Sequence, residues 1–462
     1  MDDKLKEACG VFGIYGQRED VARVTFFGLF ALQHRGQESA GIVTTDGSRL
    51  AVHKSMGQVA QVFTEDDLQS LPGHIAIGHT RYSTTGSSKI FNAQPVIVDG
   101  KLALGHNGNL TNSAVLREEL LEEGYSFRGT TDSEMIAHLF SAGPGRDQTE
   151  RIQLAMRRLI GAFSIVALTK DALYGLRDPL GVRPLCLGKL NGSWIVASES
   201  CALDTIEAQF IREIEPGEIV RIDEHGVESF PPASDGNRAL CMFEYIYFAR
   251  PDSIINERLV HQARMAMGRA LAREHPAEAD IVMGVPDSGT PAAIGFAEES
   301  GIPFREGLVK NRYIGRTFIQ PEQRLRDIGI SLKYNPLPEV LSGKNVVVVD
   351  DSIVRGSTTK PIVSLLRRGG AREVHVRIHA PPMVYPCYLG LDTARRDELI
   401  AAKKSIDEIR EFICADSLGY LSLDNLMDAI RDNHGKLCQG CFTGHYPVPV
   451  QLEFDKLTLE MR

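Results

Sequence analysis

The chain has 462 residues, of which 43% are hydrophobic and 24% are charged, and its formal net charge is −9. A chain of this length is too long to fold around a single hydrophobic core, so two or three domains are expected. The acidic balance excludes a general binder of the nucleic-acid backbone, because such proteins need an excess of basic residues.

The start of the chain carries no secretory signal. Residues 1–8 are charged throughout and lack the apolar centre of a signal peptide. No uninterrupted apolar run reaches the roughly 18 residues of a membrane span. Eight cysteines without a dense framework fit a reducing compartment, where thiols are free or hold metal. We therefore expect a cytoplasmic protein with neither a membrane nor a nucleic-acid partner.

Cys9 stands between Ala8 and Gly10, where the first apolar run begins. A free cysteine in such a place is usually a small buried residue. The other interpretation is a nucleophile that becomes the first residue of a shortened chain. The rest of the sequence has to decide between the two.

The chain up to residue 230 is predicted to be rich in strands. Two stretches have helical spacing instead, around residues 19–33 and 132–141. This pattern predicts an α+β domain with helices packed on antiparallel sheet. The alternating segments and their turn residues lie at 9–16, 39–54, 74–83, 102–110 and 163–181.

A cluster of Pro, Ser, Asp and Gly at residues 230–237 separates two differently patterned halves. Beyond it, near-continuous apolar strands alternate with helical segments, which favours an α/β domain with a parallel sheet covered on both faces. The tail beyond about residue 400 is predicted to be helical. We expect a propeptide at 1–8, one domain at 9–230 and a second at 231–462.

The segment NVVVVDDSIVRGSTT, residues 345–359, is the most specific in the chain. Four valines predict a buried strand, and Asp350 and Asp351 follow at its carboxyl end, where open α/β sheets bind ligands. Residues 355–359 lead into a helix whose start would bind an anion. The spacing excludes a Walker phosphate loop. A sugar phosphate fits, with the acids on ribose hydroxyls or on Mg²⁺; the alternative is a solvated, capped turn.

This segment resembles the motif of type I phosphoribosyltransferases that binds phosphoribosyl pyrophosphate (PRPP). Residues 284–289, GVPDSG, resemble the pyrophosphate loop of that family, and residues 309–321 resemble its flexible lid. The resemblance implies one Mg²⁺ per subunit at Ser288, Asp350 and Asp351. It also implies contacts to PRPP from Asp350, Asp351, Arg355, Gly356, Ser357, Thr358, Lys310 and Arg312.

Five segments of the first half resemble the glutaminase domain of N-terminal-nucleophile amidotransferases, which has a four-layer αββα fold. They are residues 9–13, 32–42, 78–86, 105–110 and 129–134. The resemblance implies that Cys9 is the nucleophile and that residues 1–8 are a propeptide. Its other implied roles are an oxyanion hole at Asn107 and Gly108, glutamine-binding groups at Arg81 and Asp132, and a pocket wall at Arg35 and Gly36.

The chemistry of a cysteine nucleophile agrees with such a cleavage. A thiol with a pKa of about 8.5 is mostly protonated at neutral pH, and an α-amine with a pKa of about 7.7–8.0 is a suitable base for it. A peptide nitrogen has no basic lone pair to offer. Cys9 therefore needs the Ala8–Cys9 bond cut before its own nitrogen can help.

The two resemblances together imply one reaction. Glutamine would be hydrolysed in the first domain, and ammonia would displace pyrophosphate from PRPP in the second, giving 5-phosphoribosylamine. This is the first committed step of purine synthesis. One rival is a sugar-phosphate aminotransferase such as glucosamine-6-phosphate synthase, whose second half would be sugar-isomerase domains. Another is an inactive regulator that binds PRPP or nucleotides, which detectable turnover would exclude.

Four further cysteines suggest a metal centre. Cys438 and Cys441 form a C-x2-C pair, while Cys241 and Cys387 are isolated, so spacing alone leaves zinc, iron–sulfur and no metal open. The segments around them resemble the cluster-bearing branch of the amidotransferases that use PRPP. That resemblance implies one [4Fe–4S] cluster per subunit on these four cysteines. It also suggests a homotetramer inhibited by purine nucleotides.

Overall fold

The computed structural model describes residues 9–16, 18–82, 87–232, 238–311, 333–391, 393, 395–431 and 436–450. The first half contains a seven-stranded antiparallel sheet. With strands numbered along the whole chain, its members are β1 (Gly10–Tyr15), β2 (Ser39–Thr45), β3 (Leu50–Met56), β4 (Ile75–Arg81), β9 (Cys186–Leu190), β10 (Ser193–Ala197) and β11 (Gln209–Glu213). Their order is β11-β9-β10-β1-β4-β2-β3.

A second antiparallel sheet of six strands packs against the first. Its members are β5 (Val96–Val98), β6 (Leu102–Leu110), β7 (Gly161–Leu168), β8 (Leu173–Arg177), β12 (Ile219–Asp223) and β13 (Gly226–Phe230). Their order is β13-β12-β8-β7-β6-β5. One apolar core fills the space between the sheets, and strand β1 supplies Val11 and Tyr15 to it.

Helices cover the outer face of each sheet. The first sheet packs on α1 (Val21–Ala31), α2 (Val59–Val62), α3 (Glu65–Gln69) and α7 (Ser200–Thr205), and the second on α4 (Ser113–Glu122), α5 (Asp132–Ala142) and α6 (Gln148–Met156). Phe12 and Ile14 of β1 lie on the face that packs on these helices, so the strand is buried on both faces. This explains why its sequence is a continuous apolar run. The predicted αββα layering is confirmed.

The helical spacing of apolar residues in the sequence predicts α1 and α5 correctly, but it does not predict the other helices of this half. Helix α4 buries only Ser113, Leu116 and Leu120, so its apolar stripe is too sparse to stand out in the sequence. Helix α1 begins after Asp20, whose side chain accepts the Arg23 N–H as an N-cap.

The second half is built on a four-stranded parallel sheet in the order β17-β20-β21-β22. Its members are β17 (Ile281–Gly284), β20 (Asn345–Asp350), β21 (Glu373–Ile378) and β22 (Ser417–Tyr420). The predicted parallel sheet is confirmed, and the four valines of β20 are buried in its core. Strand β22 was expected to be helix; it is short, contains Gly419 and buries only two residues, so it carries little strand signal.

The helices of this half are α8 (Val260–Glu274), α9 (Thr290–Ser300), α10 (Pro338–Leu341), α11 (Thr359–Arg368), α12 (Ile406–Ile413), α13 (Leu423–Ile430) and α14 (Gly440–Thr443). A π-helix spans Glu244–Phe248, and 3₁₀ turns span Ile90–Asn92, Arg396–Glu398 and Ile400–Ala402. Short strand pairs complete it: β14 (Ala239–Cys241) with β23 (Lys436–Cys438), β15 (Ile254–Ile255) with β16 (Arg258–Leu259), and β18 (Leu308–Lys310) with β19 (Tyr334–Pro336).

Three sequence expectations fall partly or wholly outside the described residues, one of them the lid at 309–321, which is described only to residue 311. Residues 1–8 lie outside them, and so does most of the junction at 230–237. The propeptide and the domain boundary therefore stay predictions. Among the helices that the structure does describe, none is both long and apolar enough to cross a membrane.

Candidate active sites and the cysteine group

Cys9 lies immediately before β1, the strand between β10 and β4 in the first sheet. Its side chain is buried, with 6% of its surface exposed. The Sγ atom donates to the Tyr82 carbonyl at 3.2 Å and accepts the Tyr82 N–H at 3.4 Å. Burial raises the pKa of the thiol to about 11, although the Tyr82 contact and the charge of Arg81 lower it. The thiol is therefore protonated at neutral pH and needs a base to react.

Arg81 and Asp132 are close enough to Cys9 for their charges to act on its pKa. Arg81 ends β4; its side chain is buried, and Nη1 donates to the Ser87 carbonyl at 3.2 Å. Glu38 lies 4.0 Å from the same nitrogen. The structure thus brings the predicted nucleophile, cation and anion together.

Asp132 begins α5 and is buried. One of its oxygens accepts the Leu110 N–H at 3.0 Å, and the other lies 3.6 Å from Nδ1 of His106. Burial opposes ionisation, but His106 and the N–H groups of Leu110 and Ser133 hold the pKa of Asp132 below its ordinary value. The carboxylate is therefore charged at neutral pH, as binding of an ammonium group requires.

Asn107 and Gly108 lie on β6, which contacts β1 across the two sheets. Asn107 is fully buried, and within the described residues neither its amide nitrogen nor its amide oxygen has a hydrogen-bond partner. Buried polar groups are almost always paired, so a partnerless amide here suits a donor that awaits a ligand. The same strand places Gly108 beside it with φ +152°.

Only glycine fits at position 108. A Cβ there would lie 1.9 Å from the Ala162 carbonyl oxygen on the neighbouring strand β7. We expect Gly108→Ala to displace β6, and the predicted oxyanion hole with it, and so to lower the kcat of the predicted glutamine hydrolysis on the order of 100-fold, the range for loss of an oxyanion donor. Gly100→Ala is the matched control, because Gly100 also has positive φ but nothing within 4 Å of its Cβ position. Equal kcat values in the two variants would contradict the assignment.

Arg35, which the resemblance places in the pocket wall, makes two buried ion pairs. Its side chain is fully buried, with Nε donating to Glu199 and Nη2 donating to Glu244 at 2.5 Å. Glu199 also accepts from His34 and Ser253. Nε and Nη2 thus bind carboxylates, one in each half of the chain, while Nη1 is buried and has no hydrogen-bond partner among the described residues. The contact of Arg35 with glutamine stays a prediction. Sequence reasoning missed both carboxylates.

Gly36, the other residue predicted in this wall, does lie against the pocket. A Cβ on Gly36 would meet the Thr80 carbonyl and the Arg81 backbone at 2.6–2.7 Å. Only glycine allows the loop after α1 to pack this closely on the end of β4.

We expect Arg35→Gln to destabilise the protein by about 3–5 kcal/mol, because it leaves buried carboxylates without their cation. The matched control is Arg23→Gln, which removes an exposed arginine paired with Glu65 and should change stability little. Thermal melting of the two variants checks the expectation. Equal melting temperatures would show that the Arg35 pairs contribute no more than a surface pair.

In the second half, Asp350 and Asp351 lie at the carboxyl end of β20 and are buried. Asp351 accepts from the Ser288 hydroxyl at 2.5 Å and from the Ser352 hydroxyl at 2.6 Å. Ser288 follows β17, the parallel neighbour of β20. The topology therefore places the predicted pyrophosphate loop beside the predicted ribose acids.

The lid and the phosphate loop are placed in part. Lys310 ends β18 and pairs with Asp287 of the pyrophosphate loop. Arg312 lies outside the described residues. Arg355 is paired with Glu398, and its contact with PRPP stays a prediction.

The predicted phosphate loop, Gly356–Thr358, leads into α11. Gly356 has φ +77°, which glycine adopts at little cost. Thr358 is the N-cap residue of α11, and its side chain makes no capping bond. The phosphate contacts of Ser357 and Thr358 stay predictions.

The four predicted metal cysteines lie near one another. Cys241 and Cys438 are directly opposite across the β14–β23 pair, and Leu389 N–H donates to Sγ of Cys387 at 3.4 Å. Burial raises the pKa of Cys441, and charges on Cys387, Cys438 and Cys241 raise it further. Within the described ranges, however, no group of three or more His, Cys, Asp or Glu side chains is spaced to hold a metal ion. The [4Fe–4S] cluster and the Mg²⁺ ion both remain predictions.

Comparison with known families agrees with the two sites. Residues 79–205 match a family model described as a glutamine amidotransferase domain. Residues 256–380 match one described as a phosphoribosyl transferase domain. The second match leaves the sugar-isomerase alternative without support.

Relatives match over nearly the whole chain. A protein of Synechococcus elongatus named amidophosphoribosyltransferase is 52% identical, over 99% of this chain and 95% of its own length. A protein of Methanothermobacter thermautotrophicus with the same name is 47% identical, over 97% and 96%.

Two solved structures have the same fold throughout. One, described as the allosteric regulatory enzyme of purine biosynthesis, has a TM-score of 0.91 and 45% identity over 96% of this chain and 97% of its own. The other is the PRPP amidotransferase of B. subtilis in complex with ADP and GMP. It has a TM-score of 0.90 and 44% identity over 98% of this chain and 100% of its own.

Proposed function

The chain belongs to the amidophosphoribosyltransferase family, and from this premise we propose how its own residues divide the reaction. The enzyme hydrolyses glutamine and transfers the ammonia to PRPP, which gives 5-phosphoribosylamine, glutamate and pyrophosphate in the first committed step of purine synthesis. The observation that carries our assignment of the first half-reaction is the buried amide of Asn107, which has no partner among the described residues.

Cys9 attacks the glutamine amide after cleavage of the Ala8–Cys9 bond. The buried thiol has a pKa near 11, so the freed α-amine takes its proton. As sulfur bonds to the amide carbon, negative charge develops on the amide oxygen, and the Asn107 amide and the Gly108 N–H stabilise that oxyanion. Ammonia leaves and a thioester remains, which water hydrolyses to glutamate.

Arg81 and Asp132 orient glutamine for this attack. The Arg81 guanidinium pairs with the substrate carboxylate, which its two-pronged geometry suits. The Asp132 carboxylate, which His106 helps to keep charged, pairs with the substrate ammonium. Gly36 forms the wall, and Arg35 holds that wall in place.

In the second half, Asp350 and Asp351 bind the ribose hydroxyls of PRPP, and the 356–358 loop binds its 5-phosphate at the start of α11. Lys310 approaches the pyrophosphate from the lid side. Carboxylate and hydroxyl oxygens suit Mg²⁺, so Asp350, Asp351 and Ser288 would hold it; bound there, Mg²⁺ neutralises the charge of the departing pyrophosphate.

The surroundings of the four cysteines suit an iron–sulfur cluster. Arg183 is fully buried; burial lowers its pKa, but nearby negative charge from Cys241, Glu244 and Cys387 raises the pKa above its ordinary value. Its Nε atom has no hydrogen-bond partner in the described part of the chain. A buried cation with a spare donor suits an anionic sulfur centre. We propose that Cys241, Cys387, Cys438 and Cys441 hold a [4Fe–4S] cluster, which would pin the C-terminal tail to the second half.

Direct measurement of iron and acid-labile sulfide in anaerobically purified protein tests the cluster. We expect four of each per chain if the proposal holds, because the proposed cluster contains that number. Zinc without sulfide, or no metal, would overturn it.

The remaining features follow the family. The B. subtilis structure in complex with ADP and GMP supports binding of purine nucleotides, and we propose that they inhibit this enzyme. A homotetramer in the cytoplasm, with domains at 9–230 and 231–462, completes the proposal.

The test of the whole assignment is coupled product formation. Glutamate and pyrophosphate should appear in equal amounts from glutamine, PRPP and Mg²⁺, and pyrophosphate should also form from ammonia. Glutamate without pyrophosphate would leave the glutaminase and contradict the assignment of the second site.

A further inference from the structure

Arg183 belongs to the first half of the chain but binds the second half. It lies between β8 and β9, and its backbone carbonyl accepts from Ser164 at 3.2 Å and from Arg177 at 2.7 Å. Its side chain is fully buried. Nη1 donates to Glu244 and Nη2 donates to the Leu389 carbonyl, each at 3.0 Å. One guanidinium thus joins two separate segments of the second half.

The Leu389 segment lies against the oxyanion strand. Nδ2 of Asn109, on β6, donates to the Tyr388 carbonyl at 2.9 Å. A Cβ on Gly390 would lie 3.4 Å from the Gly108 carbonyl carbon. Residues 388–390 therefore form a wall behind Gly108, and this wall follows directly after Cys387.

The Glu244 contact reaches the opposite side of the glutamine pocket. While one oxygen of Glu244 accepts from Arg183, the other accepts from Nη2 of Arg35. Arg35 precedes Gly36, the residue packed on the backbone of Thr80 and Arg81. The same guanidinium therefore contacts the supports of the oxyanion strand and of the loop beside Arg81.

We propose that Arg183 is a positioning residue for glutamine hydrolysis. It holds residues 388–390 against β6 and, through Glu244, holds the Arg35 loop against the end of β4. The glutamine pocket then has its reactive geometry only when the second half is docked on it. This inference rests on the proposed roles of Cys9, Asn107 and Gly108, and Arg183 itself touches no reacting atom.

Such a residue has a distinctive kinetic signature. Oxyanion donors act in the transition state, so a displaced donor lowers kcat more than it changes the glutamine KM. The PRPP acids lie on β20 and have no contact with Arg183 among the described hydrogen bonds and ion pairs. Pyrophosphate release driven by ammonia should therefore continue when Arg183 is changed.

The experiment compares Arg183→Lys with Arg377→Lys. Lysine keeps the charge but cannot span Glu244 and Leu389 at once. We expect the ratio of the glutaminase kcat to the ammonia-dependent kcat to fall on the order of 100-fold in Arg183→Lys, as for a misplaced reacting group. Arg377 is also a buried arginine with carbonyl acceptors, but its acceptors lie within the second half, so its variant should not separate the two activities.

A second variant, Asn109→Ala, removes the bond to Tyr388 without changing Arg183, and it should change the ratio of the two activities in the same direction. Equal loss of both activities in Arg183→Lys, or an effect on KM alone, overturns the inference. If that variant does not fold, an unchanged kcat in Asn109→Ala overturns it instead. An unsubstituted enzyme without glutaminase activity would overturn the proposed function, and this inference with it.

Discussion

Cys9→Ala is expected to abolish glutamine-dependent synthesis and to leave ammonia-dependent synthesis at the level of the unsubstituted enzyme. The thiol is the only nucleophile in our assignment, so its removal should lower glutamine hydrolysis by at least about 1000-fold. Ammonia added to the solution bypasses that step and reacts at the second site. The measurement follows pyrophosphate release with each nitrogen source, and glutamate release in the first case.

The matched control for Cys9→Ala is Cys186→Ala. Cys186 is also a buried cysteine of the first half, and its Sγ donates to the Ala197 carbonyl at 3.4 Å. Loss of this small packed group should lower stability slightly without separating the two activities. If Cys9→Ala hydrolysed glutamine at the normal rate, the nucleophile would have to be another residue.

Asp351→Asn should affect the other site. We expect it to lose synthesis from PRPP with either glutamine or ammonia, and to retain glutamine hydrolysis. The variant removes the negative charge that accepts from Ser288 and Ser352. The same charge acts on Arg264, a buried cation nearby. Burial lowers the pKa of Arg264 to about 10, and the negative charge of Asp351 opposes that lowering. We expect pyrophosphate release to fall by at least about 100-fold, the range for loss of a group that stabilises developing charge.

Asp280→Asn is the control for Asp351→Asn. Asp280 also bonds the backbone of β20, since it accepts the Asn345 N–H at 2.8 Å, but it lies at the amino end of the sheet. Ligands of open α/β sheets bind beyond the carboxyl ends, so this variant should keep both activities. Equal losses in the two aspartate variants would place the PRPP site elsewhere.

Much of the site could be predicted because its motifs are local. Asp350 and Asp351 directly follow four valines. Polar residues after a buried strand predict a ligand site at the carboxyl end of that strand, whatever the order of the strands in the sheet. Asn107 and Gly108 are neighbours on one strand. Helix α5 was found because its apolar residues recur at helical spacing, whereas α4 was missed because few of its residues are buried.

The partners of buried charges could not be predicted in this way. Arg35 and Arg355 sit in recognisable motifs, yet their guanidinium groups are bound to carboxylates far along the chain, Glu244 and Glu398. The sequence of a motif does not distinguish an arginine that binds a substrate from one that binds another side chain. Which of these it binds depends on what the fold places within hydrogen-bond reach.

The sequence by itself determined the layered first half, the parallel sheet of the second and the two sets of candidate reactive residues, because strand periodicity and motif spacing act over a few residues. Only the tertiary structure decided how the halves support each other. Arg183 and Leu389 are 206 residues apart, and Asn109 and Tyr388 are 279 apart. Buried polar groups must find partners, and distance in the folded chain, which no local pattern encodes, decides which partners they find.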